Sequence, residues 1–144
     1  MLSSKIIVTI PTYVGTLLFS VTHAHIAHLR THKFAEHIAL QDFYEDMPEL
    51  IDTLVEKIQS VEMINEYVDM SEYLFLDENF NATQNFTVYL RNLREFVKAC
   101  REALFNPEKF SSITSASDDI IDLIDSTLYK LTKLTESKKN KKNT

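Results

Sequence analysis

The feature that most limits the fold of this chain is its shortage of turn-forming residues: one Gly and three Pro occur among 144 residues. Tight β-hairpin turns usually require glycine, and a phosphate-cradling loop requires several. Hydrophobic residues make up 44% of the chain and charged residues 25%, a balance typical of a globular domain with a substantial core. The composition therefore predicts an all-α protein.

Apolar residues recur with the helical period in four segments. The predicted helices cover residues 12–31, 34–61, 82–105 and a last segment from about residue 115. Ser115 and Asp118 are placed as an N-terminal capping box for this last helix. Between residues 62 and 81 the pattern weakens, which predicts a loop that carries a short helix. We therefore predict a four-helix bundle.

The two ends of the chain bear on its location. Lys5 and the apolar run after it look like a secretion signal, but Pro11 and Gly15 interrupt that run, which is also too short and mixed for a transmembrane helix. Cys100, the single cysteine, excludes a disulfide framework and a multi-cysteine metal site within one chain. These observations predict a cytoplasmic protein without a membrane segment, with N-terminal processing as the less favoured alternative.

The last seven residues have a composition of their own. They contain four of the 15 basic residues, which leaves 11 basic and 21 acidic side chains, a charge of −10, in residues 1–137. We predict one domain over residues 1–137 and a Lys-rich tail over residues 138–144. Contact of this tail with DNA phosphates is one interpretation. A disordered, solvated end is the favoured one.

Residues able to bind a metal recur at fixed steps along the first two predicted helices. The candidate ligands are His25, His37, Gln41, Asp52 and Glu56. Imidazole and carboxylate together suit iron and zinc. All five histidines lie between residues 23 and 37, so the other two helices contribute none. A single His on an apolar stripe is more often a packed core residue, and an interface that responds to mild acid is a further alternative.

The rise of an α-helix prevents one chain from closing a site from this set. His37 and Asp52 are 15 residues apart, which separates them by roughly 22 Å along the helix axis. Two antiparallel copies of the second helix, related by a two-fold axis near Met47, bring the carboxylates of one copy to His37 and Gln41 of the other. His25 then reaches the site from the first helix. We expect a dimer with two equivalent sites about 20 Å apart.

The spacing of these ligands resembles the ferroxidase signature of the Dps miniferritins, the DNA-binding proteins from starved cells. The pattern is His, eleven residues, His, three residues, a polar ligand, ten residues, Asp, three residues, Glu. The resemblance implies a ferritin-like bundle in which His25 and His37 of one subunit meet Asp52 and Glu56 of the next. It also implies oxidation of Fe(II) by hydrogen peroxide or dioxygen and iron storage in a shell of twelve subunits. No catalytic residues beyond the ligands are implied.

Some positions depart from that family. Gln41 stands where the family usually has Asp, which removes one anionic ligand; Glu45, one turn further on, or His28 is the expected supplement. Pro48 predicts a bend or break in the second helix. A new helix capped at residues 46–49 would rotate the two carboxylates away from Gln41. These departures fit a diverged or viral relative.

Two other functions compete with iron oxidation. A metal-free helical oligomer that acts as an interaction or structural protein would keep the same bundle and dimer. Zinc or another divalent metal would also suit the same ligands. A hydrolase has little support, because no nucleophile motif is present.

Overall fold

The computed structural model describes residues 9–62 and 85–134, and these form four α-helices. The helices are α1 (Ile10–Arg30), α2 (Phe34–Glu62), α3 (Phe86–Leu104) and α4 (Ser111–Tyr129), and a π-helical turn (Lys130–Leu134) continues α4. The predicted all-α bundle is confirmed. The short helix predicted between residues 62 and 81 lies outside the described residues, as does the Lys-rich tail.

The start of α4 corrects the predicted capping box. α4 begins at Ser111, four residues before Ser115, and its N-cap residue Phe110 makes no side-chain capping hydrogen bond. The backbone carbonyl of Phe110 accepts from the amides of the first turn, while its ring packs edge-on against Phe105 at 6.1 Å between centroids. The buried contact between these two aromatic rings therefore fixes the N-terminus of α4, where a polar capping residue was expected.

Contacts at both ends of α2 show that α4 runs antiparallel to it. Near the end of α2, Lys57 Nζ donates to the carbonyl of Ser112 at the start of α4, at 3.3 Å. Near the start of α2, Asp42 pairs at 3.3 Å with Lys130, just past the end of α4. α2 packs against α1 on its other side. α2 therefore lies between α1 and α4 in the bundle.

Two ion pairs show the direction of α3. Arg94 pairs with Asp125 at 2.6 Å and Arg101 with Asp118 at 2.8 Å, which is an antiparallel register between α3 and α4. α3 consequently runs parallel to α2, the helix that precedes it in the chain. Consecutive parallel helices require one long crossover connection, which is the connectivity of ferritin-like bundles.

One face of α2 supplies the centre of the hydrophobic core. Its fully buried residues are Leu40, Phe43, Met47, Ile51 and Leu54. Tyr13 of α1 is also fully buried, and its hydroxyl donates to Ser117 Oγ of α4 at 2.8 Å across the bundle. Leu18 of α1 is exposed. It lies about 100° around the helix from its buried neighbour Leu17.

Pro48 lies within α2, and the helix is continuous through it. The predicted break and the alternative of a new helix at residues 46–49 are therefore wrong. Met47 and Ile51 are buried on either side of Pro48, whose own side chain is exposed. Burial of the flanking turns outweighs the missing backbone hydrogen bond. Asp52 consequently stays in helical register with Gln41, eleven residues before it.

His23 is the histidine that belongs to the core. It is buried in α1, with Phe19 at 3.4 Å and Tyr89 of α3 at 4.7 Å between ring centroids. Burial lowers the pKa of His23 from 6.5 to about 3, so the folded protein holds it neutral.

Among the helices of residues 9–62 and 85–134, none is both long and apolar enough to cross a membrane.

Replacement of Pro48 by Ala is expected to stabilise the protein. Alanine restores the amide that the carbonyl of Tyr44 needs inside α2, so we expect the free energy of unfolding to rise by up to about 3 kcal/mol. Urea denaturation of metal-free protein measures this change. The exposed neighbour Glu49, changed to Ala, is the control and should stay within about 0.5 kcal/mol of wild type. Unchanged or lower stability of the Pro48→Ala variant would contradict continuous helical packing here.

His23 is expected to make stability depend on pH. The unfolded chain takes up a proton on this imidazole below about pH 6.5, whereas folded His23 stays neutral down to a pKa of about 3. Stability is therefore lost as the pH falls through 6.5. Between pH 7 and pH 5, wild type should lose about 2 kcal/mol more than a His23→Leu variant. Denaturation of both proteins with a chelator present checks this, and parallel pH profiles would refute it.

Candidate metal centre

A three-residue turn, residues 31–33, joins α1 to α2 and sets the register between them. The α1 helix ends where the amide of Thr31 donates to the carbonyl of Ala27, at 3.0 Å, and the amide of Lys33 then donates to Thr31 Oγ1, at 3.2 Å. Because the turn is short, residues equally distant from it face each other across the two antiparallel helices. This register brings His28 of α1 beside His37 of α2.

His28 and His37 form a reciprocal pair. The Nδ1 of His28 lies 2.8 Å from the backbone carbonyl of His37, and the Nδ1 of His37 lies 3.0 Å from the backbone carbonyl of His28. The two rings stack at 3.6 Å between centroids, with 23° between their planes. Each imidazole is thus fixed both by a hydrogen bond and by the face of the other ring.

The reciprocal pair determines where the protons lie. A carbonyl oxygen can only accept a hydrogen bond, so each Nδ1 must carry a proton. In the neutral ring, the remaining nitrogen, Nε2, then has its lone pair free. Histidine ligands of metals are commonly held in this way, with one ring nitrogen donating to a backbone carbonyl while the other binds the metal. His37 is therefore oriented as a ligand would be.

His25 and Tyr44 extend this pair into a group of four rings. The His25 ring stacks on Tyr44 at 4.4 Å and lies 6.0 Å from His28, while Tyr44 meets His28 edge-on at 5.1 Å. We call these residues, His25, His28, His37 and Tyr44, the imidazole–tyrosine cluster. His25 is exposed, His37 is half-buried and His28 is buried. The structure thus brings both predicted histidine ligands into one cluster.

Gln41 and Glu45 pair with each other one turn further along α2. Gln41 Nε2 donates to Glu45 Oε1 at 2.9 Å. This bond uses the amide nitrogen of Gln41 and leaves its carbonyl oxygen as the atom able to face a cation. Glu45, the expected supplement, is an exposed carboxylate adjacent to Gln41.

Asp52 and Glu56 lie apart from the imidazoles. Both are exposed on the second half of α2. Asp52 lies about 22 Å from His37 along the helix axis. Neither carboxylate is in an ion pair with another described residue. Within residues 9–62 and 85–134, no three His, Cys, Asp or Glu side chains of one chain are placed to hold a metal ion. Within one chain the predicted ligands therefore fall into two separate groups, one near the turn between α1 and α2 and the other, Asp52 and Glu56, on the second half of α2.

Cys100 is not available as a ligand. It is fully buried in α3, and burial raises the pKa of its thiol to about 12. Metals bind the thiolate, whereas this group stays protonated at physiological pH.

Two large apolar side chains close to the turn between α1 and α2 are exposed. Leu29 at the end of α1 is 71% exposed and Phe34 at the start of α2 is 79% exposed. Other exposed apolar residues of these two helices are Leu18, Ile26, Ile38 and Val61. Exposed apolar surface of this kind marks an interaction site more often than scattered single residues do. Basic residues Arg30 and Lys33 flank it in and beside the turn.

The sequence predicted which residue types could bind a metal, but not the hydrogen bonds and ring stacking that hold the imidazoles in place. His28 was expected only as a supplementary ligand, and Tyr44 was not among the predicted site residues. The reciprocal pair depends on two backbone carbonyls, which sequence spacing does not reveal. One signal was present: with the turn centred on residue 32, antiparallel register pairs position 28 with a position close to 37.

Comparison with known protein families gives a match over most of the chain. Residues 28–131 match a family of unknown function, DUF5856. The matched segment includes His28, His37, Asp52 and Glu56 but begins after His25. Neither the curated proteins nor the solved structures include one with significant similarity to the chain.

The reciprocal pair predicts a specific tautomer for His28 and His37. In metal-free protein at pH 8, both rings should carry the proton on Nδ1, because each donates from that atom to a carbonyl. Long-range ¹H–¹⁵N correlation spectra of the imidazoles distinguish Nδ1–H from Nε2–H. Exposed His32, which makes no ring hydrogen bond to the described residues, is the comparison. A proton on Nε2 of either His28 or His37 would contradict the reciprocal pair.

Proposed function

This chain belongs to a family of unknown function, DUF5856, and we propose that it binds and oxidises Fe(II) at sites shared between two copies of itself. The observation that supports this most is the orientation of His37, whose Nδ1 donates to a backbone carbonyl and leaves Nε2 free. Exposed carboxylates follow on the same helix. The proposed donor set, imidazole nitrogen with carboxylate and amide oxygen, suits iron.

The length of α2 is the reason for two copies. An antiparallel pair of α2 helices centred near Met47 places Gln41 level with Asp52 of the second copy, and His37 level with its Glu56. Gln41, Asp52 and Glu56 fall within about 60° around the helix at 100° per residue. One copy therefore supplies imidazoles and the other supplies carboxylates, twice in each dimer.

Charge also favours a cation at this interface. The exposed side of α2 carries Glu45, Glu49, Asp52 and Glu56. An antiparallel pair brings two such acidic stripes together, and the repulsion between like charges opposes association. A divalent cation bound between the copies offsets that repulsion. The exposed apolar residues Leu29 and Phe34 add a hydrophobic contribution to the same interface.

Fe(II) is the substrate of the proposed reaction. Two Fe(II) ions each give one electron to hydrogen peroxide, which takes up two protons and is released as two molecules of water. The imidazoles of His25 and His37 bind Fe(II) through a ring nitrogen, while Asp52 and Glu56 neutralise the additional positive charge of Fe(III). Dioxygen is the alternative oxidant, and storage of the ferric product in a larger shell, such as twelve subunits, belongs to the same proposal.

A metal-free helical oligomer is the second candidate. The apolar surface around Leu29 and Phe34 favours it, because that surface suits a protein contact with or without a metal. The two candidates share an interface and differ in whether its ligands bind a cation.

Complementation between two variants tests the shared site. His37→Ala and Asp52→Ala homodimers should each lose metal binding, because each variant damages both sites. A heterodimer of the two keeps one intact site, formed by His37 of one chain and Asp52 of the other, and should bind half as much metal as wild type. Fe(II) titration without oxygen, followed by addition of peroxide, measures binding and oxidation.

Three controls complete the experiment. The two chains carry different affinity tags that do not bind metals, so that heterodimers can be isolated. Glu102→Gln removes an exposed carboxylate of α3, away from the acidic side of α2, and should keep wild-type binding. Native mass measurement gives the oligomer size. A heterodimer that binds no metal excludes the shared site, and wild-type protein that binds none leaves the metal-free oligomer.

A further inference from the structure

His28 occupies the centre of the imidazole–tyrosine cluster. It is 7% exposed, and its ring contacts all three other rings, with centroids 3.6 Å from His37, 5.1 Å from Tyr44 and 6.0 Å from His25. Its own Nδ1–H is used in the hydrogen bond to the carbonyl of His37. A residue so placed can fix its neighbours in space.

We propose that His28 is a positioning residue that holds the His37 imidazole in its metal-binding orientation, and that it does so chiefly through the stacked faces of the two rings. The inference rests on the proposed function, since it concerns the same metal site. It replaces the role expected from the sequence, in which His28 supplements the ligands.

The reason lies in the two constraints on the His37 ring. The hydrogen bond from its Nδ1 to the carbonyl of His28 fixes one point of the ring. The His37 ring can still rotate about this hydrogen bond unless another group packs against the face of the ring. The His28 ring lies against that face with 23° between the planes. Together they fix the direction of the His37 Nε2 lone pair before any metal arrives, so binding does not have to restrict the side chain.

The main chain and the side chain of His28 act on His37 in different ways, so substitution can separate their effects. The acceptor for His37 is the main-chain carbonyl of His28, which any substitution retains. A change of the His28 side chain therefore removes the stacking and the bond to the carbonyl of His37, while the bond made by His37 itself remains available. Phenylalanine keeps a flat ring of similar size but has no nitrogen to bind a metal. Alanine removes both ring and nitrogen.

The test compares His28→Phe with His28→Ala in two measurements. In Zn(II) titrations, the Ala variant should bind about tenfold to a hundredfold more weakly than wild type, the usual cost of losing a group that orients a ligand. The Phe variant should stay much closer to wild type, because it retains the stack. In imidazole ¹H–¹⁵N spectra of metal-free protein, the His37 Nδ1 proton should stay visible in the Phe variant and exchange quickly with water in the Ala variant.

Each outcome has a distinct meaning. Equal loss of Zn(II) binding in both variants would make His28 a ligand and overturn the proposal, as would full binding by the Ala variant. If the Ala variant fails to fold, the Phe variant decides by itself, because a ligand role predicts loss and a positioning role predicts retention. Asn92→Ala, at an exposed site of α3 outside the cluster, is the control and should keep wild-type Zn(II) binding. If wild type binds no Zn(II) or Fe(II), the proposed function fails, whereas the spectra still decide whether His28 orients His37.

Discussion

The buried face of α2 is the constraint on which the rest of the structure depends. Five of its side chains, Leu40, Phe43, Met47, Ile51 and Leu54, are fully buried between α1 and α4, and complete burial of such a side chain contributes about 1.5–3 kcal/mol. This burial fixes the rotation of α2 about its own axis. Once that rotation is set, His37 and Tyr44 must turn towards α1, while Asp52 and Glu56 must turn towards solvent. The candidate ligands are thus placed by the core.

The helices could largely be predicted from the sequence, because apolar periodicity reports the same burial that holds them. The second helix was predicted over residues 34–61 and spans Phe34–Glu62. The errors arise where tertiary contacts compete with local preference. Pro48 disfavours a helix locally, but burial of Met47 and Ile51 on either side keeps α2 continuous. Ser115 suits a cap locally, yet the Phe105–Phe110 contact begins α4 one turn earlier.

The candidate site was less accessible to sequence reasoning, for two physical reasons. Spacing reveals which side chains share a helical face, and it separated His37 from Asp52 correctly because helical rise is nearly constant. It carries no information on backbone carbonyls, which are present at every position and matter only when a turn brings two helices together. The spacing therefore gave His28 only as a supplementary ligand and did not include Tyr44 in the site. The second subunit lies beyond any single chain, so the shared site remains a prediction.

The reciprocal pair also links the end of a helix to the chemistry of the site. The carbonyl of His28 is among the last four of α1, which have no amide donor inside the helix. The Nδ1–H of His37 satisfies it, and a helix C-terminus favours such a donor because its carbonyls carry partial negative charge. The bond that helps to end α1 is thus the bond that leaves Nε2 of His37 free. The three-residue turn sets the register that brings His28 and His37 together, and both relations depend on that register. Turn length, helix capping and ligand orientation therefore form a single constraint in this fold.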